Sequence, residues 1–286
     1  MPVDSIPKVV GMAYAVVATL TIVYLLRRGV FSRKAGYLFL VASTLVGFLV
    51  TAPMLPNQLQ TLLLGNTRQL DAPVAIAVLV LVLFVVLAFA FGRVFCGYAC
   101  PIGAVQELAY HLPVKKLRVR SKAVPIVFRL LFFLAFVVLA VTWSIGILKY
   151  LGIADFFHLN LDSAFSYSFL ALVIMSTFLY RPFCAFLCPY GALQALASIK
   201  ARFKLRRTEL CIDCGKCEQV CPTNEAGRTG LKQECYMCNR CREVCPVDAI
   251  QYARKQVAGQ QEDPGMPQPA RVSGKRSRTT RLTDQT

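Results

Sequence analysis

The chain has 286 residues, 56% hydrophobic and 16% charged, with a net charge of +17 and twelve cysteines. Soluble domains carry nearer a quarter charged residues, so a single large soluble fold is excluded in favour of membrane spans. Nucleic-acid binding is excluded too, because Lys and Arg gather in short segments between apolar blocks, the distribution that cytoplasmic loops of membrane proteins show.

In chain order, apolar runs predict five spans at 9–26, 36–55, 73–92, 125–147 and 164–180. Each suits about 30 Å of hydrocarbon, the last being shortest and carrying Ser166, Tyr167 and Ser168 near its start. Met1–Lys8 lacks a basic n-region, so no cleavable secretory signal is expected. Arg27, Arg28, Arg33 and Lys34 follow the first span. Arg93, Lys115, Lys116, Arg118, Arg120 and Lys122 follow the third, and Arg181 and Lys200–Arg207 follow the fifth. The intervening loops hold little beyond Arg68 and Lys149. This asymmetry predicts an external N-terminus and a cytoplasmic C-terminal part in the cell membrane, with the basic face on anionic lipid. Arg129, close to the cytoplasmic start of the fourth span, reads as a snorkelling side chain.

A duplication marks the ends of spans three and five. RVFCGYACPIGAVQ at 93–106 recurs 88 residues later as RPFCAFLCPYGALQ at 181–194. Both copies follow a span running outside to inside, so they form a parallel repeat about the membrane normal. Each places two thiols four residues apart, Cys96/Cys100 and Cys184/Cys188, which would share a helix face, with Pro and Gly then resetting the backbone. Three readings stay open for these four metal-ligand candidates: a third iron–sulfur or other soft-metal site, two redox dithiols, or packing between the halves.

Beyond 207 the composition turns polar. Cys211, Cys214, Cys217 and Cys221 spell C-x2-C-x2-C-x3-C-P, and Cys235, Cys238, Cys241 and Cys245 repeat it 24 residues on. In this bacterial two-cluster pattern three cysteines wrap one [4Fe–4S] cluster and the fourth crosses to the other. The expected sets are therefore Cys211, Cys214, Cys217 and Cys245 for one cluster, and Cys235, Cys238, Cys241 and Cys221 for the second. Zinc would need only paired C-x2-C ligands and would leave the x3-C-P endings unexplained. The predicted fold is a mainly α membrane domain over 1–207, a small α+β ferredoxin domain over 208–254, and a disordered basic tail over 255–286.

With both duplications in place, the chain resembles the NapH family of membrane ferredoxins, with kinship to the C-terminal half of NosR-type proteins. The resemblance covers about 36–254 and rests on the two C-x3-C-P motifs and the two ferredoxin runs. It implies passage of electrons from the quinone pool toward a partner reductase, and it carries over only the twelve cysteines. The first span is additional to the family's usual four. No [ST]-G-A-T flavin-attachment sequence is present, which speaks against a covalent flavin.

The only histidines, His111 and His158, fall on opposite sides of the membrane in this topology, which excludes a bis-His haem, and C-x-x-C-H and G-x-G-x-x-G motifs are absent. The outer loop 152–162, with Asp155, Phe156, Phe157, His158 and Asp162, reads as a connector or as a quinol proton acceptor. The expected function is an electron-transfer subunit, quinol dehydrogenase-like, with quinone, lipid and a partner redox subunit as partners and no residue assigned a catalytic role. The competing readings are a metal-handling or maturation factor that uses the C-x3-C thiols, and a membrane anchor.

Overall fold

The computed structural model describes residues 5–50, 55–65, 74–119, 121–160, 162–228 and 230–254, and the expected tail lies outside them. Long apolar stretches form α1 (Ser5–Arg27), α2 (Arg33–Val50), α4 (Val74–Phe91) and α6 (Ala123–Trp143). Among the described residues, three helices are long and apolar enough to cross a membrane: 10–27 in α1, all of α4 and all of α6. Their outward positions are apolar, as lipid contact requires: Leu79, Leu131 and Val141 are each 60% exposed or more.

Helix α9 (Ala164–Met175) is shorter than the span expected at 164–180. Twelve residues rise only about 18 Å, short of the hydrocarbon thickness. Beyond Met175 the backbone ladder tightens to three-residue bonds, Thr177 N–H to the Ile174 carbonyl and Phe178 N–H to that of Met175, and Pro182 then bars helical geometry at Arg181. Short helices α3 (Leu55–Leu63), α7 (Ile147–Tyr150) and α8 (Ile153–Phe157) knit the opposite end. There the Gln60 amide oxygen accepts from the Leu148 N–H at 2.8 Å, and Phe48 packs on Phe156 and Phe157.

The cysteine-rich end holds α5 (Pro101–Tyr110), α10 (Pro189–Ile199), α11 (Lys216–Val220) and α12 (Arg240–Glu243). Strand β1 (Phe203–Arg207) pairs antiparallel with β2 (Ile250–Arg254), Leu205 opposite Tyr252, so the sheet begins ahead of Thr208. This small unit shares a core with the helices: Ile22, Val23 and Leu26 of α1 cluster with Met237, Ile250 and Tyr252. The Tyr252 hydroxyl donates to the Phe91 carbonyl at 2.8 Å, and Asn239 Nδ2 to that of Phe31 at 3.1 Å.

Candidate iron–sulfur centres

Each C-x3-C-P motif folds in the same unusual way. Residues Phe95–Ala99 and Phe183–Leu187 form single π-turns rather than the α-helical turn the spacing suggested. The Cys100 N–H reaches the Phe95 carbonyl at 2.9 Å, five residues back, which widens the turn. Cys100 (φ −78°, ψ 120°) and Cys188 (φ −86°, ψ 108°) are extended, as a residue before proline must be. Pro101 and Pro189 then start α5 and α10 at the position where a missing N–H costs nothing. Cys96, Cys100, Cys184 and Cys188 are all buried and line one cavity, walled by Phe95, Ile102, Phe183 and Tyr190. Burial pushes the Cys184 thiol up to about 11 against the pull of the Arg181 guanidinium. The Cys188 sulfur accepts the Gly191 N–H at 3.2 Å, and Gln106 Nε2 approaches the Cys184 sulfur at 3.5 Å.

The ferredoxin cysteines divide between two further cavities. One is lined by Cys211, Cys214, Cys217 and Cys245, the other by Cys221, Cys235, Cys238 and Cys241. Left-handed residues at matching positions wind each loop round its cavity: Asp213 and Gly215 in the first run, Met237 and Asn239 in the second. The fourth cysteines also match, with the Glu225 N–H on the Cys221 sulfur at 3.2 Å and the Ala249 N–H on the Cys245 sulfur at 3.3 Å. Among the described residues no three His, Cys, Asp or Glu side chains converge on a single metal ion. Four thiols spread around a small cavity suit a cubane cluster, which takes one thiolate on each of its four irons, better than tetrahedral zinc at 2.3 Å.

Acid–base pairs that sequence reading missed bind the second ferredoxin run to the C-x3-C-P centre. Arg93 and Arg181, the residues that open the two repeats, are each 1% exposed. Arg93 Nη1 donates to the Glu234 carboxylate at 2.7 Å, and Arg129 Nη1 donates to the same oxygen at 2.9 Å. Arg129 therefore does not snorkel; it is 3% exposed and turned inward, because a carboxylate from the ferredoxin loop meets it there. In a second cluster, Glu107 accepts from Arg181 Nε at 2.7 Å and from Arg240 at 2.6 Å. Burial opposes the charge on both carboxylates, but the flanking guanidiniums outweigh it and hold them below the usual carboxylate range.

Tyr236 lies between these clusters. The Arg93 and Arg181 guanidiniums sit 4.3 and 4.9 Å from its ring centre, and it packs in one core with all four C-x3-C-P cysteines. Arg181 also donates to the Cys96 and Gly97 carbonyls at 2.5 and 2.6 Å, which fixes its left-handed backbone (φ 46°). The one sequence signal for this clamp was the Arg heading each repeat. His111 lies half-buried beside Glu107, whereas His158 is exposed and Asp155 accepts from the Ser163 hydroxyl at 2.7 Å.

Apolar helices with three thiol quartets gathered round cavities at one end define a membrane-bound iron–sulfur protein. A 4Fe–4S binding domain family matches residues 72–120 and 164–208, the segments that carry the C-x3-C-P motifs, and a second 4Fe–4S binding domain family matches 206–224. The chain belongs to the NapH/NosR-like family of membrane ferredoxins. It is 33% identical over 205 residues to MJ0750 of Methanocaldococcus jannaschii, covering 67% of this chain and 82% of that protein. It is also 33% identical over 176 residues to YccM of Escherichia coli strain K12, a protein named for electron transport, covering 55% of this chain but 49% of YccM. Against the regulatory protein NosR of Pseudomonas aeruginosa it is 32% identical over 148 residues, 46% of this chain and 20% of NosR. The chain thus spans about half of YccM and a fifth of NosR. No solved structure matches it.

Proposed function

We propose that the protein is a membrane-bound electron carrier that relays electrons between the quinone pool and a partner redox protein. In this reading Cys211, Cys214, Cys217 and Cys245 hold one [4Fe–4S] cluster, Cys221, Cys235, Cys238 and Cys241 a second, and Cys96, Cys100, Cys184 and Cys188 a third. The observation that carries it is the seating of the 234–240 loop: it supplies thiols to one cavity while Tyr236 packs against the neighbouring quartet. Relatives named for electron transport and for ferredoxin-type roles, YccM and MauN, support the same reading. The ferredoxin face would lie in the cytoplasm, where the basic loops are.

Bound clusters supply one-electron transfer at potentials set by charge, hydrogen bonds to sulfur and burial. The chain contributes each of these. Backbone N–H groups of Gly191, Glu225 and Ala249 donate to ligand sulfurs, which favours the more negative reduced state. Arg93 and Arg181 place positive charge beside the C-x3-C-P quartet. Apolar walls exclude water from it.

Two measurements test this. Anaerobic addition of a reduced quinol analogue to the oxidised protein should bleach the cluster absorbance and raise reduced-cluster EPR signals. Reduction by dithionite but not by quinol would sink the quinone relay. Separately, the full chain should hold about twelve iron atoms, three cubanes of four, and Cys96→Ser with Cys184→Ser should lower this to about eight. Unchanged iron per chain would remove the third cluster. Retention of a different metal by these thiols would favour a metal-handling role.

A further inference from the structure

A pocket that adjoins the second-cluster cavity, sharing Cys238, Asn239 and Arg240 with it, opens between the N-terminal end of α2, the C-terminal end of α5 and the second ferredoxin loop. Its lining includes Tyr37, His111, Cys238, Asn239 and Arg240. We propose that this pocket is the head-group site for a quinol, with His111 Nε2 as the proton acceptor; the proposal rests on the electron-carrier reading above.

Four observations converge on this chemistry. First, His111 Nδ1 lies 2.6 Å from the Glu107 carbonyl, which can only accept, so the proton is on Nδ1 and Nε2 is the accepting nitrogen, engaged only by a long bond that a hydroxyl donor can displace. The neighbouring Arg240 Nη2 is 3.4 Å from Nε2 and spends its stronger bond on Glu107 at 2.6 Å. Burial holds the imidazole below its usual range, outweighing the nearby Glu107 carboxylate, so the neutral base is the form present at neutral pH. Second, two lining groups keep buried polar atoms with no protein partner, the Asn239 amide oxygen and Arg240 Nη1. One accepts and the other donates, a pairing that suits a hydroxyl or carbonyl on a small ring. Third, the Tyr37 ring stands 4.6 Å from the His111 ring, an aromatic wall for a flat head group. Fourth, the pocket touches Cys238, and next to it α2 turns Leu38, Val41 and Leu45 outward, giving an isoprenoid chain an apolar surface.

Oxidation of a quinol there breaks two O–H bonds and yields the quinone, two electrons and two protons. The electrons would leave one at a time to oxidised [4Fe–4S] clusters held by the thiol quartets, while His111 Nε2 takes one proton and water at the rim, where Arg33 and Glu243 face each other at 3.7 Å, takes the other. The outer loop is the weaker place for this chemistry: His158 is exposed, and neither it nor Asp155 lines any of the cysteine-holding cavities described above.

The test uses the full cluster-loaded chain in lipid nanodiscs with a photoreactive azidoquinone and a short-chain quinol. Crosslinks should map to 33–40 or to the segment around His111. His111→Asn keeps a donor for the Glu107 carbonyl but removes the base. It should slow quinol reduction about 10²-fold, with iron content and dithionite reduction unchanged. Tyr37→Leu should weaken azidoquinone labelling, and His158→Asn should leave both readouts as in the wild type. Crosslinks elsewhere, or wild-type reduction in His111→Asn, would overturn the pocket while leaving the quinone relay standing. A wild-type protein that neither labels nor accepts electrons from quinol would overturn the relay, and the pocket with it.

Discussion

Replacing Glu234 with Gln should weaken the seat of the second cysteine run by about 3–5 kcal/mol, the usual result of removing one partner from a buried ion pair. Two guanidiniums depend on this carboxylate: Arg93 at 2.7 Å and Arg129 through both of its terminal nitrogens. Both arginines are nearly inaccessible to water, so losing the carboxylate strands two positive charges, one of them inside a membrane helix. Arg129→Met removes a partner as well but leaves the Arg93–Glu234 pair intact. Its cost should therefore be clearly smaller. Limited proteolysis of the detergent-solubilised protein, with retained iron as a second readout, measures the order. Equal resistance in the wild type and Glu234→Gln would show that the network adds no stability. Greater damage from Arg129→Met would show that Arg93 is satisfied some other way.

What the sequence made legible here was local. The cysteine runs are read from spacing within eleven residues, because the ferredoxin loops close on themselves. The crossed sharing of Cys221 and Cys245 is an expectation from that pattern; in the structure Cys245 lines the cavity of the first run and Cys221 that of the second. The apolar cores of α1, α4 and α6 were legible because hydropathy alone decides them. The end of α9 was not, since the chain stays apolar past Met175 while its backbone ladder tightens to three-residue bonds. The role of Arg129 was illegible for a different reason. Its partner lies 105 residues away, so nothing near it in the chain distinguishes a paired cation from one reaching for the interface. Tyr236 was hidden in the same way, inside a motif defined by its cysteine spacing alone.

The difference between Gly97 and Ala185 shows both limits at once. These residues hold the same place in the two repeats, directly after Cys96 and Cys184, and their N–H groups make matching bonds to the carbonyls of Arg93 and Arg181 at 3.0 and 2.9 Å. Sequence shows that they differ but not why. In the structure a Cβ on Gly97 would fall well inside van der Waals contact with the Tyr236 carbonyl oxygen, a backbone atom that no side-chain rotation can move aside. The first repeat lacks a side chain there because the ferredoxin loop rests its main chain on it. Gly97→Ala, which gives the first repeat the residue of the second, should therefore push the 235–238 segment away from Cys96 and loosen the grip of Arg93 and Arg181 on Tyr236. The cost should stand well above the about 1 kcal/mol of an average substitution. EPR of the reduced, iron-loaded protein should show weaker magnetic coupling between the ferredoxin and C-x3-C-P centres, and proteases should cut 230–240 sooner. Ala185→Gly, whose N–H bond to the Arg181 carbonyl is a backbone contact that glycine can keep, should change neither. Unaltered coupling and proteolysis in Gly97→Ala would mean that the loop does not need this contact, and the seat of Tyr236 would then rest on the arginine clamp alone.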